Sequence, residues 1–212
     1  MIERLSSVHT NNQDAKSSAL VMVGSFAPIH AGHIDAMQSA ESAFLKQYNE
    51  RLIAKVFAPN SDSYVSIKLN DKNGEWNFDK RVSEFDKLDS EFDITAYVDD
   101  ITGKNPPEKS ISDEVIATVS RKIGIAASKV VLVVGSDQLA SMKPHIQNNR
   151  AVCVLRPGSL DVLLKYKDQE WFERAFYDGR YIITTRTDMI KDISSTAIRL
   201  LSSKMQSEVL ND

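Results

Sequence analysis

Two histidines three residues apart, His30 and His33, end the run Gly24-Ser25-Phe26-Ala27-Pro28-Ile29-His30-Ala31-Gly32-His33. Imidazoles so placed can donate hydrogen bonds to phosphate oxygens as charge builds during a transfer reaction. The glycines serve the same chemistry. Gly24 permits a sharp turn and close approach of a ligand to the backbone, and Gly32 removes a side chain where a helix begins. A helix start offers unpaired N–H groups and a positive dipole end, a natural anion site. Taken alone, such a pair is ordinarily a polar helix start, and as metal ligands it lacks a third partner nearby. Its position directly after a buried strand and a glycine turn lifts it above that reading.

The second constellation is Asp192-Ile193-Ser194-Ser195-Thr196-Ala197-Ile198-Arg199. An N-cap explains one hydroxyl. It does not explain Ser194, Ser195 and Thr196 together, nor Arg199 one turn into the helix, where its charge opposes the dipole. The set makes sense if the helix start and Arg199 grip one polyphosphate.

These residues need a scaffold, and the hydropathy pattern supplies one. Short apolar runs at 19–23, 52–58, 93–98, 129–134, 151–155 and 181–185 read as strands. Between them, apolar residues recur at helical spacing: Ile34, Met37, Ala40, Phe44 and Tyr48; then Phe78, Val82, Phe85 and Leu88; then Val115, Ile116, Val119 and Ile123 behind a Ser110–Asp113 capping box. A last helix is expected from Ser194 or Ser195 toward Met205. Strands alternating with helices mean βαβ units, and near-continuous apolar strands mean a sheet covered on both faces. The expected architecture is a single α/β doubly wound, Rossmann-like domain with a mainly parallel sheet over 19–212, behind a mobile polar tail at 1–18. Ligands in such folds collect beyond the carboxyl ends of the strands.

Composition narrows the function. Twenty-six basic against 29 acidic residues give a net charge of -3, so bulk electrostatics do not point to nucleic acid. No apolar run is long enough to span a bilayer, and residues 1–18 lack the apolar core of a secretory signal. Cys153 is the single cysteine and lies in an apolar run, which favours a buried, inert thiol and a reducing, cytoplasmic setting.

In order along the chain, Gly24 to His33 resembles the HxGH-bearing loop of the nucleotidylyltransferases, and Ile193 to Arg199 their ISSTxIR motif. Between them, Gly135-Ser136-Asp137 resembles the family's GSD segment and Arg156-Pro157-Gly158 its Arg-Pro-Gly turn. Within that superfamily the nearest resemblance is to the nicotinamide/nicotinate mononucleotide adenylyltransferases. It is carried by the GSF opening, by Asn60-Ser61-Asp62-Ser63-Tyr64, and by Lys80-Arg81. The resemblance implies transfer of an adenylyl group from ATP, escorted by Mg2+, to a pyridine mononucleotide, with no resident metal site. It implies His30, His33 and Arg199 at the phosphates, with Gly24, Ser194, Ser195 and Thr196. Gly135 and Asp137 would take the adenosine ribose and Arg156 would face the nucleotide. Ser25, Phe26, Tyr64, Lys68 and Tyr97 would lie on the acceptor side.

Read without the family, Asp137 serves equally as a helix cap, Arg156 as a rim ion pair and Tyr64 as a half-buried aromatic. The acceptor half departs from the family pattern. The lysines expected after the tyrosine are replaced by Val65-Ser66-Ile67, with Lys68 coming late; Tyr97-Val98 stands for a Trp-Glu pair, and Lys191 for an Asn. A transferase for another phosphorylated acceptor and a module that only binds nucleotide therefore stay open. So does assembly into a homo-oligomer.

Overall fold

The computed structural model describes residues 17–85, 93–94, 111–139, 149–156, 159, 161, 164–166 and 168–186. The strands are β1 (Ser17–Gly24), β2 (Arg51–Pro59), β3 (Asp93–Ile94), β4 (Val130–Gly135), β5 (Ala151–Leu155) and β6 (Tyr181–Thr185). The helices are α1 (Ala31–Tyr48), α2 (Asp62–Leu69), α3 (Phe78–Phe85), α4 (Ile111–Ile123) and α5 (Glu170–Tyr177). The strands form one six-stranded sheet in the order β3-β2-β1-β4-β5-β6, every neighbouring pair parallel. This is the doubly wound α/β architecture that the alternation of patterns implies. Strand order reverses between β1 and β4, which opens a crevice at their carboxyl ends.

The apolar runs are continuous because both faces of the sheet are covered. Alternate residues point to opposite faces. Ala19, Val21, Leu132, Cys153 and Leu155 pack with Val115 and Val119 of α4 and Trp171 and Phe172 of α5. Leu20, Met22, Val131, Val133 and Val152 pack on the other face with Met37, Ala40 and Phe44 of α1 and Phe85 of α3. Cys153 is buried, and burial pushes its thiol up to about 11, so it is chemically quiet.

Several expectations shift. β1 begins at Ser17, two residues before the apolar run, because the Ser18 hydroxyl is buried against Glu50 and Arg150 rather than left to water. The pattern did not mark α2 or α5 as helices. In α2 only Val65 is buried, while Ile67 is 84% exposed, so no apolar stripe advertises it. Trp171 belongs to the core, and Trp76 carries the Lys80 ammonium 4.5 Å above its ring. The expected tail at 1–16, strand residues 95–98, Leu88, Ser110 and the last helix lie outside the described residues.

Candidate active site

The loop leaving β1 is held by its own aromatic. Phe26 takes a left-handed backbone conformation, φ 46°, which costs a bulky side chain about 1–3 kcal/mol. Burial of the ring offsets it: Phe26 is 2% exposed and meets Phe57, Phe85 and His33 edge-on at 5.6, 5.4 and 5.0 Å. Gly24 makes this possible, since a Cβ there would stand 2.8 Å from the Phe26 ring. Phe26 thus braces the site from beneath.

His30 is the N-cap of α1, and the two imidazoles cap the helix reciprocally. His30 Nδ1 accepts from the Gly32 N–H at 3.1 Å, and His33 Nδ1 accepts from the His30 N–H at 3.3 Å. The rings lie 3.9 Å apart, centre to centre. With both Nδ1 atoms accepting, the neutral rings carry their protons on Nε2 and can donate from there. Burial, then the charges of His30, Arg156, Arg186 and Lys68, push His33 from its ordinary 6.5 down to about 3. His33 is therefore a neutral donor near pH 7.

Across the crevice, the turn after β4 is a short 3-10 helix, Ser136–Gln138. Gln138 caps it by accepting from the Gly135 N–H at 3.3 Å, so the cap does not use up Asp137. Asp137 curls over Gly135, where a Cβ would stand 2.6 Å from its Oδ1, and pairs loosely with Arg156 at 3.9 Å. Ser136 donates to Ser159 at 2.9 Å and Ser159 to the Arg156 carbonyl at 2.7 Å, which ties the turns after β4 and β5 together.

On the third side, Lys68 of α2 reaches Ser25 Oγ at 3.3 Å. Arg81 sets that geometry. Fully buried, it donates to the carbonyls of Ser25 at 2.9 Å and Asn60 at 2.8 Å and to Asp62 Oδ1 at 2.7 Å. It fastens the histidine-bearing loop to the start of α2.

These elements enclose a cavity of about 300 Å3. Of the residues singled out from sequence, Gly24, Ser25, Phe26, His30, His33, Lys68, Gly135, Asp137 and Arg156 line it. Tyr64 does not; it is 43% exposed, with the Lys68 ammonium 5.9 Å from its ring. Tyr97, Ser194, Ser195, Thr196 and Arg199 lie outside the described residues. Sequence reasoning missed Gln138 and Arg186, which also line the cavity, and Asp35, which bonds to Arg186. Arg186 left one usable signal, a charge directly after a strand's carboxyl end. Asp35 left another, an acid on the buried stripe of an amphipathic helix, where it must find a partner. Among the described residues, no three His, Cys, Asp or Glu are grouped to hold a metal ion. No described helix is long and apolar enough to cross a membrane.

The family model described as cytidylyltransferase-like matches residues 21–201, which takes in the carboxyl half of β1, all of β2 to β6 and every residue that lines the cavity. A comparison with curated proteins found no match.

Proposed function

Since the chain belongs to the cytidylyltransferase-like family of nucleotidyltransferases, we propose that it transfers the adenylyl group of ATP to nicotinamide or nicotinate mononucleotide. The products are NAD, or its deamido form, and pyrophosphate. One observation carries the reading: the His30–His33 helix start, the Gly135–Asp137 turn and Arg156 share a single cavity at the switch point of the sheet. On the acceptor side, the Lys68–Ser25 contact provides an ammonium beside the first loop.

In this mechanism an oxygen of the mononucleotide phosphate attacks the α-phosphorus of ATP. The new P–O bond forms as the bond to the bridging oxygen of the β-phosphate breaks, and pyrophosphate leaves with that electron pair. No side chain bonds covalently to substrate, so alignment and charge stabilisation supply the rate. His30 and His33 donate from Nε2 to phosphate oxygens whose charge grows in the transition state. Asp137 and Gly135 take the ribose. Ser194, Ser195, Thr196 and Arg199 complete the triphosphate grip. Phe26 acts through its backbone and as a brace, its ring being committed to the core.

Magnesium enters with ATP as part of the substrate, and the donor set fits that. Among the described lining residues Asp137 is the carboxylate, and it faces Arg156, so phosphate oxygens rather than a protein cage would hold the ion.

The test is product analysis with ATP, Mg2+ and either pyridine mononucleotide, read as dinucleotide on chromatography together with released pyrophosphate. Parallel reactions replace ATP with CTP and the acceptor with phosphopantetheine or phosphocholine. Dinucleotide from ATP is the expected result. Turnover on another donor or acceptor, with no dinucleotide from either mononucleotide, would overturn the substrate assignment and leave the family standing.

A further inference from the structure

Arg186 directly follows β6, and its N–H donates to the Leu155 carbonyl at 3.3 Å, extending the β5–β6 pairing by one residue. The side chain therefore starts from the carboxyl end of the sheet. It is 5% exposed, and its Nε donates to Asp35 Oδ2 at 2.6 Å; Asp35 is itself 8% exposed. As a packing device this is a poor choice, because the desolvation of both charges offsets much of their attraction and an apolar pair would serve as well. Placement is what a packing role leaves unexplained. Arg186 lines the cavity, and a Cβ on Gly32 would stand 3.0 Å from its Nη2 and 3.0 Å from the His30 ring. The guanidinium thus lies over the first turn of α1, beside the capping histidine. A cation there faces the positive end of the helix dipole and shares the cavity with Arg156 and Lys68. A bound anion relieves each of these repulsions.

We propose that Arg186 is an anion-binding residue of this cavity and Asp35 its positioning residue. Asp35 holds Nε and so turns the rest of the guanidinium toward a phosphate group lying over Gly32 at the start of α1. A planar guanidinium, with several N–H donors in a fixed fork, can bond Asp35 and a phosphate together, which a lysine ammonium on a flexible stem does less well. Gly32 belongs to the device, because any side chain there would displace the guanidinium. The proposal rests on the adenylyl-transfer reading for its ligand, the polyphosphate of a nucleoside triphosphate.

Calorimetric titration of the full chain with Mg-ATP, with inorganic tripolyphosphate and with adenosine, no acceptor present, tests it. Arg186→Lys should weaken ATP and tripolyphosphate binding about tenfold or more and leave adenosine binding unchanged. Asp35→Asn, which keeps the shape and the arginine, should weaken both several-fold. Wild-type affinities in both variants, with lowered melting temperatures, would make the pair structural and end the proposal. So would a wild-type protein that binds neither ATP nor tripolyphosphate. If Arg186→Lys does not fold, an unchanged tripolyphosphate affinity in Asp35→Asn overturns the idea by itself. Arg186-dependent tripolyphosphate binding in a protein that makes no dinucleotide would sink the proposed reaction and keep this inference; dinucleotide synthesis unaltered by Arg186→Lys would do the reverse.

Discussion

The two ends of the sheet handle charge in opposite ways. At the amino end, Glu50 accepts from Ser18 at 2.5 Å, Lys129 at 3.0 Å and Arg150 at 3.1 Å. Ser18 is the second residue of β1, and the other three residues each stand just before β2, β4 or β5, so one carboxylate staples the starts of four adjacent strands. Arg150 also reaches the Ser18 hydroxyl and stacks 4.8 Å over the Tyr48 ring. At the carboxyl end, Lys68, Arg156 and Arg186 line the cavity beside two histidines, with Asp137 the lining carboxylate. At the amino end both cations are bonded to one carboxylate in a closed cluster that ties strands together. At the carboxyl end three cations line a cavity, where an anionic ligand would find them.

The largest effect should come from the cavity end. If His33 donates mainly to charge that grows in the transition state, His33→Ala should lower kcat by about 10²–10³ and change the KM for ATP little. Wild-type kcat would reduce His33 to a helix cap and erase the functional half of the contrast. Next comes Glu50→Ala, which removes the acceptor that Lys129, Arg150 and the Ser18 hydroxyl share and leaves Arg150 hydrogen-bonded only to Ser128 and Ser18. Urea unfolding should show a loss of about 1–3 kcal/mol with kcat intact. A fall in kcat at equal foldedness would mean that the two ends are coupled.

Acid separates the ends by pH window. The folded value of His33, about 3, lies below the ordinary 6.5, so the unfolded chain takes up the proton first as pH falls. Stability from His33 is full above about 6.5 and declines toward 3, by at most about 1.4 kcal/mol per pH unit. Burial alone would raise the Glu50 carboxyl, but hydrogen bonds from Ser18 and Lys129 and the charge of Arg150 hold it below its usual range. Its contribution is present above the unfolded carboxylate value and is lost as pH falls through the folded one. In an unfolding series across pH, His33→Asn should flatten the upper window and Glu50→Gln the lower. Slopes that superimpose on wild type would refute both assignments. The smallest effect belongs to Lys68, which is exposed. Lys68→Met should raise the KM for the acceptor by roughly three- to tenfold and spare that for ATP; the opposite split would move Lys68 to the triphosphate side.

Local pattern carried the scaffold a long way. β5 and β6 occupy the residues that their apolar runs mark, because a strand buried on both faces has no polar alternation to blur its ends. α1 spans the residues whose apolar spacing follows a helical turn. The His30–Gly32–His33 segment stood out as a candidate anion site because its chemistry is contained in four consecutive residues. α2 and α5 were missed, since each is two turns long and α2 buries a single side chain.

By itself, the sequence determined the alternation of strands and helices, the buried and inert state of Cys153, and some of the residues that could bind phosphate, Arg186 not among them. Each follows from side-chain character and short-range period. Only the tertiary structure decided which charges meet. Arg81 reads as an ordinary helix-start cation until it is found buried against Ser25, Asn60 and Asp62. Asp35 and Arg186, 151 residues apart, become partners because α1 packs against β6, and Arg156 reaches the histidines' cavity because β4 lies beside β1 and β5 beside β4 in the sheet. Hydropathy reports whether a residue prefers water or the core, and that preference is local. Which strand ends lie side by side is a property of strand order, and strand order is settled by packing the whole chain at once.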